Sequence, residues 1–271
     1  MIVEDKKEKF LDPLIKEQRA GNVFINKGSK TIRAPQVAFN TSESVEFVKD
    51  LLRNLYVRNG PFKGMKYAKA ISPGSNIAPK LIGFYERELW PAINKVIETK
   101  YDSIVNIGCA EGYYAIGLSL RMKDVKIFAF DINKTAQELC LQNSKLNNVE
   151  VIIDGLCDKE KLLSLDLGKK SFILIDIEGD EINLINKDLI SKLANHDFLI
   201  ETHDFKDIRI TRFMINALKD THNIQIFSSI DDITKSYTYK IPGLETNSLE
   251  DRKCLLQEGR AHNNEMGLCN Y

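Results

Sequence analysis

The sequence predicts an α/β protein built on a doubly wound, mostly parallel sheet. Three observations support this prediction. Short apolar segments alternate with helix-like segments from residue 101 onward, a glycine-containing turn follows the first of these apolar segments, and an acidic residue ends the second. Such alternation is typical of βαβ units, whose right-handed crossovers place helices on both faces of a parallel sheet.

The composition is that of an ordinary globular protein. The 271 residues include 38 basic and 38 acidic side chains, so we expect no nucleic-acid partner. The charged N-terminal segment lacks the apolar core of a secretory signal, and no apolar run is long enough to insert into a membrane. Five cysteines without a CxxC pair indicate reduced thiols and a cytoplasmic location. The sequence does not indicate an oligomeric state.

The N-terminal part differs from the rest of the chain. Residues 1–40 show no clear periodicity, whereas apolar residues recur at helical spacing over residues 41–59. Glycine- and proline-rich loops follow this helix. We expect residues 1–78 to form a helical and loop extension that covers the site, and residues 79–271 to form the main domain.

The remaining elements follow in order. A helix is predicted over residues 79–99. Each predicted strand is a short apolar run bounded by turn residues, and these runs span residues 103–107, 125–130, 149–153, 172–177, 198–202 and 224–227. Helical spacing predicts helices over residues 113–121, 135–146, 159–164, 180–193 and 208–220. The tail after residue 228 is irregular and polar, so we expect it to line a site or lie at the surface.

The turn after the first strand contains two glycines, Gly108 and Gly112. Because glycine has no Cβ, the backbone there can approach a ligand closely. The dinucleotide fingerprint GxGxxG is absent, and Glu111 stands where a diphosphate would lie. The turn therefore favours a ligand with a cationic or zwitterionic end, although the two glycines could instead serve only the packing of helix on sheet.

The second predicted strand ends at Asp131, 23 residues after Gly108. A carboxylate at this position can accept hydrogen bonds from both ribose hydroxyls of a nucleoside. Together with the glycine turn, it favours S-adenosylmethionine over NAD as the ligand. The alternative is that Asp131 only caps the next helix.

Four segments then resemble a known family: IVNIGCAEGYYAIGL, FAFDINKTAQELCLQN, FILIDIEGDEINLI and FLIETHDF. Together they are similar to class I S-adenosylmethionine-dependent methyltransferases. The run Asp-Ile-Glu-Gly-Asp-Glu, residues 176–181, resembles the motif that ends the fourth strand of the FkbM-type group. The resemblance covers about residues 79–204. It implies a Rossmann-like methyltransferase fold with seven strands in the order 3-2-1-4-5-7-6.

The resemblance also implies roles for individual residues. Gly108 and Gly112 would face the methionine and ribose portions of the cofactor, and Asp131 would hold the ribose hydroxyls. Cys157 and Asp158 would contact the adenine. Asp176 would lie beside the methionine end of the cofactor and the substrate.

Two positions depart from the family pattern. Asn106 stands where the family has an acid, and Glu111 stands where it often has asparagine. We expect Asn106 and Glu111 to share the binding of the cofactor's amino-acid end. Tyr85 and Glu86 lie in the segment GFYEREL, just before the first strand, which resembles a segment that borders the cofactor in related proteins.

The catalytic prediction concerns the ends of the fourth and fifth strands. Glu201 and His203 are two residues apart and therefore lie on one side of the fifth strand, next to Asp176. An alcohol acceptor must lose a proton, and His203 is the predicted base, with Asp176 or Glu201 orienting it. Two alternatives stay open: His203 is structural, or a divalent cation binds the set Asp176, Glu201, His203 and Asp204. His196, His222 and His262 are predicted to be structural.

These residues predict an S-adenosylmethionine-dependent O-methyltransferase that acts on a small hydroxylated molecule. A sugar, a glycan precursor or a secondary metabolite is expected by analogy with the family. S-adenosylmethionine is the expected cofactor, and no metal is predicted. The alternative is a non-catalytic nucleoside-binding or scaffold protein. Asn106, at a position where the family has an acid, is the feature that supports this alternative. A dehydrogenase is disfavoured by the missing dinucleotide fingerprint.

Overall fold

The computed structural model describes residues 42–245, 247–259 and 265–270. The part of the predicted extension before residue 42, together with His262, lies outside the described residues.

Five parallel strands form one side of a seven-stranded sheet. In chain order these are β1 Ser103–Ile107, β2 Lys126–Phe130, β3 Ile152–Asp154, β4 Ser171–Ile175 and β5 Asp197–Thr202. Their spatial order is β3-β2-β1-β4-β5, which the family resemblance implied. The predicted parallel α/β architecture is therefore confirmed.

Two further strands continue the sheet beyond β5. β6 comprises Asn223–Ser228 and β7 comprises Glu265–Asn270, and β7 lies between β5 and β6 and runs antiparallel to both of these neighbours. β7 lies within the tail that was predicted to be irregular. It forms because the backbones of β5 and β6 both pair with it.

Twelve helical elements in the described residues surround the sheet. They are α1 Ser42–Arg53, α2 Ile77–Ile82, a 3₁₀ turn Arg87–Leu89, α3 Trp90–Glu98, α4 Tyr113–Arg121, α5 Lys134–Asn147, α6 Lys159–Ser164, α7 Glu181–Leu184, α8 Lys187–Lys192, α9 Ile210–Leu218, α10 Asp232–Thr238 and α11 Leu249–Leu256. Among these helices, none has the length and apolar character that crossing a bilayer requires.

The strand residues alternate between two apolar layers. Ile104 and Leu174 pack with side chains from α1 to α4, whereas Val105 and Ile173 pack with side chains from α6 to α9. Helices therefore cover both faces of the sheet, as the doubly wound prediction required.

Two predicted helices are shorter than expected. The helix predicted over residues 41–59 ends at Arg53, because the following segment pairs with Met65 and Lys66 instead. The helix predicted over residues 79–99 is interrupted at Gly83, whose left-handed φ of 86° ends α2. A Cβ on Gly83 would lie 2.1 Å from the carbonyl oxygen of Asn59, so this interruption also allows close packing.

The region after β4 also differs from prediction. β4 ends at Ile175, so Asp176 follows the strand instead of belonging to it. The helix predicted over residues 180–193 is divided into α7 and α8, because Ile185 is extended and Asn186 caps α8.

The described part of the predicted extension shares the core of the main domain. Leu51, Phe62 and Met65 are buried in the same apolar cluster as Ile104 of β1. The predicted boundary between residues 78 and 79 falls within α2.

Gly108, directly after β1, provides a test of this packing. Its φ is 82°, and an added Cβ would lie 1.6 Å from the carbonyl oxygen of Asp176. We expect Gly108→Ala to lower the free energy of unfolding by about 1–3 kcal/mol or more in urea denaturation. The control is Gly155→Ala, where the nearest atom to an added Cβ is 3.9 Å away and φ is not positive. Equal stability of the two variants would contradict the close approach.

Candidate functional site

A cavity of about 450 Å³ opens at the carboxyl ends of the parallel strands. Ile107 of β1 is in register with Phe130 of β2 and Ile175 of β4, so the residues after these strands meet at one edge. Ligands of open α/β sheets bind at this edge. The predicted site residues on the cavity wall are Asn106, Gly108, Asp131, Asp176, Glu201 and His203.

Gly108 forms the floor of the cavity near β2. Its N–H donates to the carbonyl oxygen of Phe130 at 2.8 Å, which ties the turn to the next strand. Gly112 lies off the wall, and a Cβ there would meet Cys140 and Ile116 at 2.7 Å. Gly108 therefore allows the turn to pack against the backbone of Asp176 at the cavity wall, whereas Gly112 serves the packing of α4.

Asp131 follows β2 and lies on the cavity wall beside the Gly108 turn. Its Oδ2 accepts from the N–H of Ala110 at 2.8 Å, and its Oδ1 accepts from the N–H of Asn133 at 2.8 Å. These bonds fix the carboxylate at the edge of the cavity. Each oxygen has a further lone pair with which to accept a bond from a ligand.

Asn106 of β1 is 1% exposed and lies on the cavity wall. Within the described residues, neither its Nδ2 nor its Oδ1 has a hydrogen-bond partner. Buried polar groups are nearly always hydrogen-bonded in native proteins. The amide of Asn106 therefore lacks partners that a ligand in the cavity can supply.

Glu111 points away from the cavity, contrary to the expected contact with the cofactor. Its carboxylate is fully buried, accepts from Lys80 at 2.7 Å and Tyr67 at 3.3 Å through Oε1, and accepts from Ser72 at 3.0 Å through Oε2. The positive charge of Lys80 compensates the buried carboxylate. Glu111 thus holds the turn in place.

Cys157 and Asp158 do not lie on the wall of the cavity either. Cys157 is buried in the apolar cluster under α6 to α9. Asp158 caps α6 by accepting from the N–H of Lys161 at 2.8 Å. The predicted contacts with adenine therefore have no counterpart on the wall.

The loop after β4 carries the acidic end of the cavity. Glu178 and Gly179 both have positive φ angles, 59° and 104°, which reverse the chain direction before α7. The reversal brings Glu181 under the loop, where its Oε1 accepts from the N–H groups of Ile177 at 3.3 Å and Gly179 at 3.2 Å.

Glu181 is also the partner of His203. His203 is 2% exposed, and its Nδ1 lies 2.8 Å from Oε1 of Glu181. Because a carboxylate accepts hydrogen bonds, Nδ1 carries the donated proton. The other ring nitrogen, Nε2, lies 3.5 Å from Oδ1 of Asp176. The predicted orienting residues, Asp176 and Glu201, are thus near His203, but Glu181 is its hydrogen-bond partner.

The surroundings of His203 change its pKa in opposing directions. Burial lowers the pKa, but the hydrogen bond and charge of Glu181, with the charges of Glu201 and Glu178, outweigh burial and raise the pKa above its usual value. Protonated His203 is therefore stabilised, and the neutral base forms at higher pH than in a free imidazole.

The metal alternative involves a different set from the one predicted. Potential ligand atoms of Asp176, Glu178 and His203 lie within 4.8 Å of one another. Asp204, in contrast, caps α9 by accepting from the N–H of Thr211 at 2.8 Å. Glu178 also lies 3.4 Å from the Nζ of Lys206.

Aromatic side chains and the C-terminal segment complete the wall. Tyr85, Tyr113 and Tyr114 form an aromatic side, and Glu258 closes the rim. Glu86 lies behind this side, where the hydroxyl of Tyr114 donates to its carboxylate.

The remaining predicted structural residues lie away from the cavity. His196 accepts from the N–H of Ser171 at 3.0 Å, and Nε2 of His222 donates to the carbonyl oxygen of His196 at 2.9 Å. Burial lowers the pKa of both histidines. Cys109, Cys140, Cys157 and Cys254 are free thiols.

Two features of this site were not recognised in the sequence. Glu181 belonged to the quoted motif without an assigned role. Lys80 stands among apolar residues in the segment IAPKLIGF, and such isolation of a charged residue is a signal of a buried ion pair.

No protein-family model and no curated protein matches the sequence. Among solved structures, the protein is similar to precorrin 8w decarboxylase of Methanobacterium thermoautotrophicum, with 14% identity, a TM-score of 0.47 and coverage of 67% of this chain and 88% of that chain. Precorrin-6y C5,15-methyltransferase of Geobacter metallireducens has 14% identity, a TM-score of 0.45 and coverage of 66% and 87%. The tRNA (uracil-54, C5)-methyltransferase of Pyrococcus abyssi, in complex with S-adenosyl-L-homocysteine, has 16% identity, a TM-score of 0.43 and coverage of 66% and 37%. These TM-scores are below 0.5, and the fold assignment rests on the strand order.

We predict a large loss of stability when either partner of the buried ion pair between Lys80 and Glu111 is removed. We expect Lys80→Met to lower the free energy of unfolding by about 3–5 kcal/mol, because Glu111 is then buried without its cation. Urea denaturation measures this change. Lys187→Met, which breaks the exposed pair between Lys187 and Asp220, is the control and should leave stability nearly unchanged. Similar losses in both variants would contradict a special role for the buried pair.

The pair of His203 and Glu181 predicts a titration shift. Glu181→Gln removes a negative charge, so the pKa of His203 should fall, and neutral His203 should appear at lower pH. NMR titration of the histidine ring protons measures this pKa. His222, which lies in a separate environment, should titrate as in the unaltered protein. If the pKa of His203 does not move, Glu181 does not control its ionisation.

Proposed function

We propose that this protein is an S-adenosylmethionine-dependent methyltransferase of the FkbM type that methylates a hydroxyl group of a small molecule. A sugar, a glycan precursor or a secondary metabolite is the proposed acceptor class. The observation that carries the proposal is a cavity whose wall includes the Gly108 turn and Asp131 together with His203.

The residues around the turn fit the donor. The Gly108 turn forms part of the cavity wall, and Asp131 beside it offers acceptors for the ribose hydroxyls. The amide of Asn106, which has no hydrogen-bond partner among the described residues, can both donate and accept, which suits the zwitterionic amino-acid end. When bound, S-adenosylmethionine supplies a methyl group that is already activated on a sulfonium.

The residues around His203 fit a hydroxyl acceptor. Orientation in the cavity contributes up to about 7–11 kcal/mol to such a transfer. Nε2 of His203 accepts the hydroxyl proton. Nδ1 keeps its own proton and donates it in a hydrogen bond to Glu181, and this bond fixes the orientation of the ring. Asp176, 3.5 Å from Nε2, positions the acceptor hydroxyl.

Binding of the demethylated cofactor tests the donor assignment. We expect Asp131→Ala to weaken S-adenosylhomocysteine binding by about tenfold or more in calorimetry, because charge-assisted bonds to the ribose are lost. The control is Asp158→Asn. Asp158 lies off the cavity wall and asparagine can still cap α6, so this variant should bind S-adenosylhomocysteine as the unaltered protein does. Unchanged affinity in Asp131→Ala, or tighter binding of NAD than of S-adenosylhomocysteine, would contradict the assignment.

Turnover tests the assignment of the base. With a labelled donor and a panel of polyols, His203→Ala should reduce kcat by about 10²–10⁴-fold and retain S-adenosylhomocysteine affinity. His222→Gln is the control and should retain turnover. A His203→Ala variant as active as the unaltered protein would make this histidine structural. Binding of the donor without turnover of any acceptor would favour the non-catalytic alternative.

A further inference from the structure

Lys80 is a buried cation that reaches the cavity. It is 3% exposed and lies on the described wall, whereas its partners Glu111 and Ser72 do not. Its ammonium donates to Oε1 of Glu111 at 2.7 Å and to Oγ of Ser72 at 2.8 Å. Of these three residues, Lys80 is therefore the one that a ligand in the cavity can contact.

The ammonium of Lys80 has a donor left for such a ligand. A lysine ammonium carries three N–H groups, and Glu111 and Ser72 accept from two of them. Within the described part of the chain, no other oxygen accepts from this ammonium. The rings of Tyr85 and Tyr113 lie 4.6 and 5.5 Å from Nζ, and aromatic faces attract a cation without supplying an oxygen acceptor. The third N–H can therefore bind an oxygen atom of a ligand.

The ion pair places Lys80 beside the glycine turn. Glu111 belongs to the same turn as Gly108, directly after β1. The N–H of Ala110, also in this turn, donates to Asp131 at 2.8 Å. Lys80 and Asp131 are thus tied to one turn, which is the part of the cavity that we assign to the methyl donor.

Asn106 provides an independent indication of a polar ligand beside this turn. It precedes Gly108 by two residues, is 1% exposed and lies on the same wall. Within the described residues, neither polar atom of its side chain has a hydrogen-bond partner. A ligand that satisfies both residues must offer an acceptor to the ammonium of Lys80, and a donor and an acceptor to the amide of Asn106. The zwitterionic end of an amino acid offers all three.

On the basis of the proposed function, we propose that Lys80 binds the carboxylate at the amino-acid end of S-adenosylmethionine. The carboxylate is the anionic group of this donor, since its adenine and ribose are uncharged. A hydrogen bond from an ammonium to a carboxylate is charge-assisted and therefore strong. Glu111 already compensates the charge of Lys80, and the donor's own ammonium, on the carbon next to its carboxylate, compensates the charge that the carboxylate adds.

The first experiment compares S-adenosylhomocysteine with its decarboxylated form, which lacks only the carboxylate. By calorimetry, the unaltered protein should bind S-adenosylhomocysteine about tenfold tighter or more, because the decarboxylated form cannot accept the charge-assisted bond. In the double variant Lys80→Gln/Glu111→Gln this preference should nearly disappear. Changing both residues together leaves neither charge buried without its partner.

The single variant Glu111→Gln should change the preference in the opposite direction. It leaves the ammonium of Lys80 without its compensating charge, so the carboxylate of the ligand becomes its anionic partner and the preference should increase. The matched control is Lys206→Gln, the same change at the second lysine on the described wall, which should keep the preference of the unaltered protein. In every variant, binding of the decarboxylated ligand shows that the nucleoside site is folded.

The outcomes separate the two proposals. If S-adenosylhomocysteine does not bind to the unaltered protein, the proposed function fails. If it binds without a preference over the decarboxylated form, the inference about Lys80 fails while the proposed function stands. The same conclusion follows if the charge variants at positions 80 and 111 keep the preference that Lys206→Gln shows.

A measurement on the unaltered protein applies even if the charge variants do not fold. Burial slows the exchange of the Lys80 ammonium protons with water, so NMR can detect the Nζ resonance in protein labelled with ¹⁵N-lysine. Contacts with the ring protons of Tyr85, whose centroid lies 4.6 Å from Nζ, assign this resonance. S-adenosylhomocysteine should shift it, and the decarboxylated form should shift it much less. Equal shifts with the two ligands would overturn the proposal.

Discussion

The buried ion pair between Lys80 and Glu111 determines how the cavity is assembled. Both side chains are almost completely excluded from solvent, and a buried charge without a partner is strongly destabilising. Glu111 belongs to the turn after β1, whereas Lys80 belongs to α2. Because each buried charge needs the other as its partner, the ion pair fixes α2 against the turn. Ser72 and Tyr67 donate to the same carboxylate and bring the preceding loop with them. Pro73, Gly74 and Ser75 reach the cavity wall as a result.

A second buried pair has the same effect at the other end of the cavity. Glu181 accepts from His203 and from two N–H groups of its own loop, so one carboxylate fixes both the imidazole and the acidic turn after β4. The left-handed backbone of Glu178 is the conformational cost of this arrangement. Since β1 and β4, which precede the two pairs in the chain, are buried along their whole length, the two pairs are held at a fixed separation.

The sequence predicted the features that depend on local pattern. The parallel strands, the turn at Gly108 and the strand-end position of Asp131 follow from apolar runs and from residues next to them in the chain. The orientation of Glu111 could not be predicted, because it depends on Lys80, 31 residues away. The family resemblance implied a seventh strand, but the location of β7 in the chain was missed for a similar reason, since its pairing is supplied by β5 and β6. Gly83 could have suggested the break in the helix predicted over residues 79–99, but the backbone of Asn59 packed against it is apparent only in three dimensions.

Asn106 shows how charge at the site limits the choice of residue. It is buried on the wall that also carries Asp176 and Glu201. A carboxylate at position 106 would add another desolvated negative charge to this wall, and like charges in a buried site cannot all remain ionised. An amide preserves the capacity for hydrogen bonding without that charge. The departure from an acid at the start of the glycine turn is therefore compatible with donor binding, because the neighbouring carboxylates already supply the negative potential that a sulfonium requires.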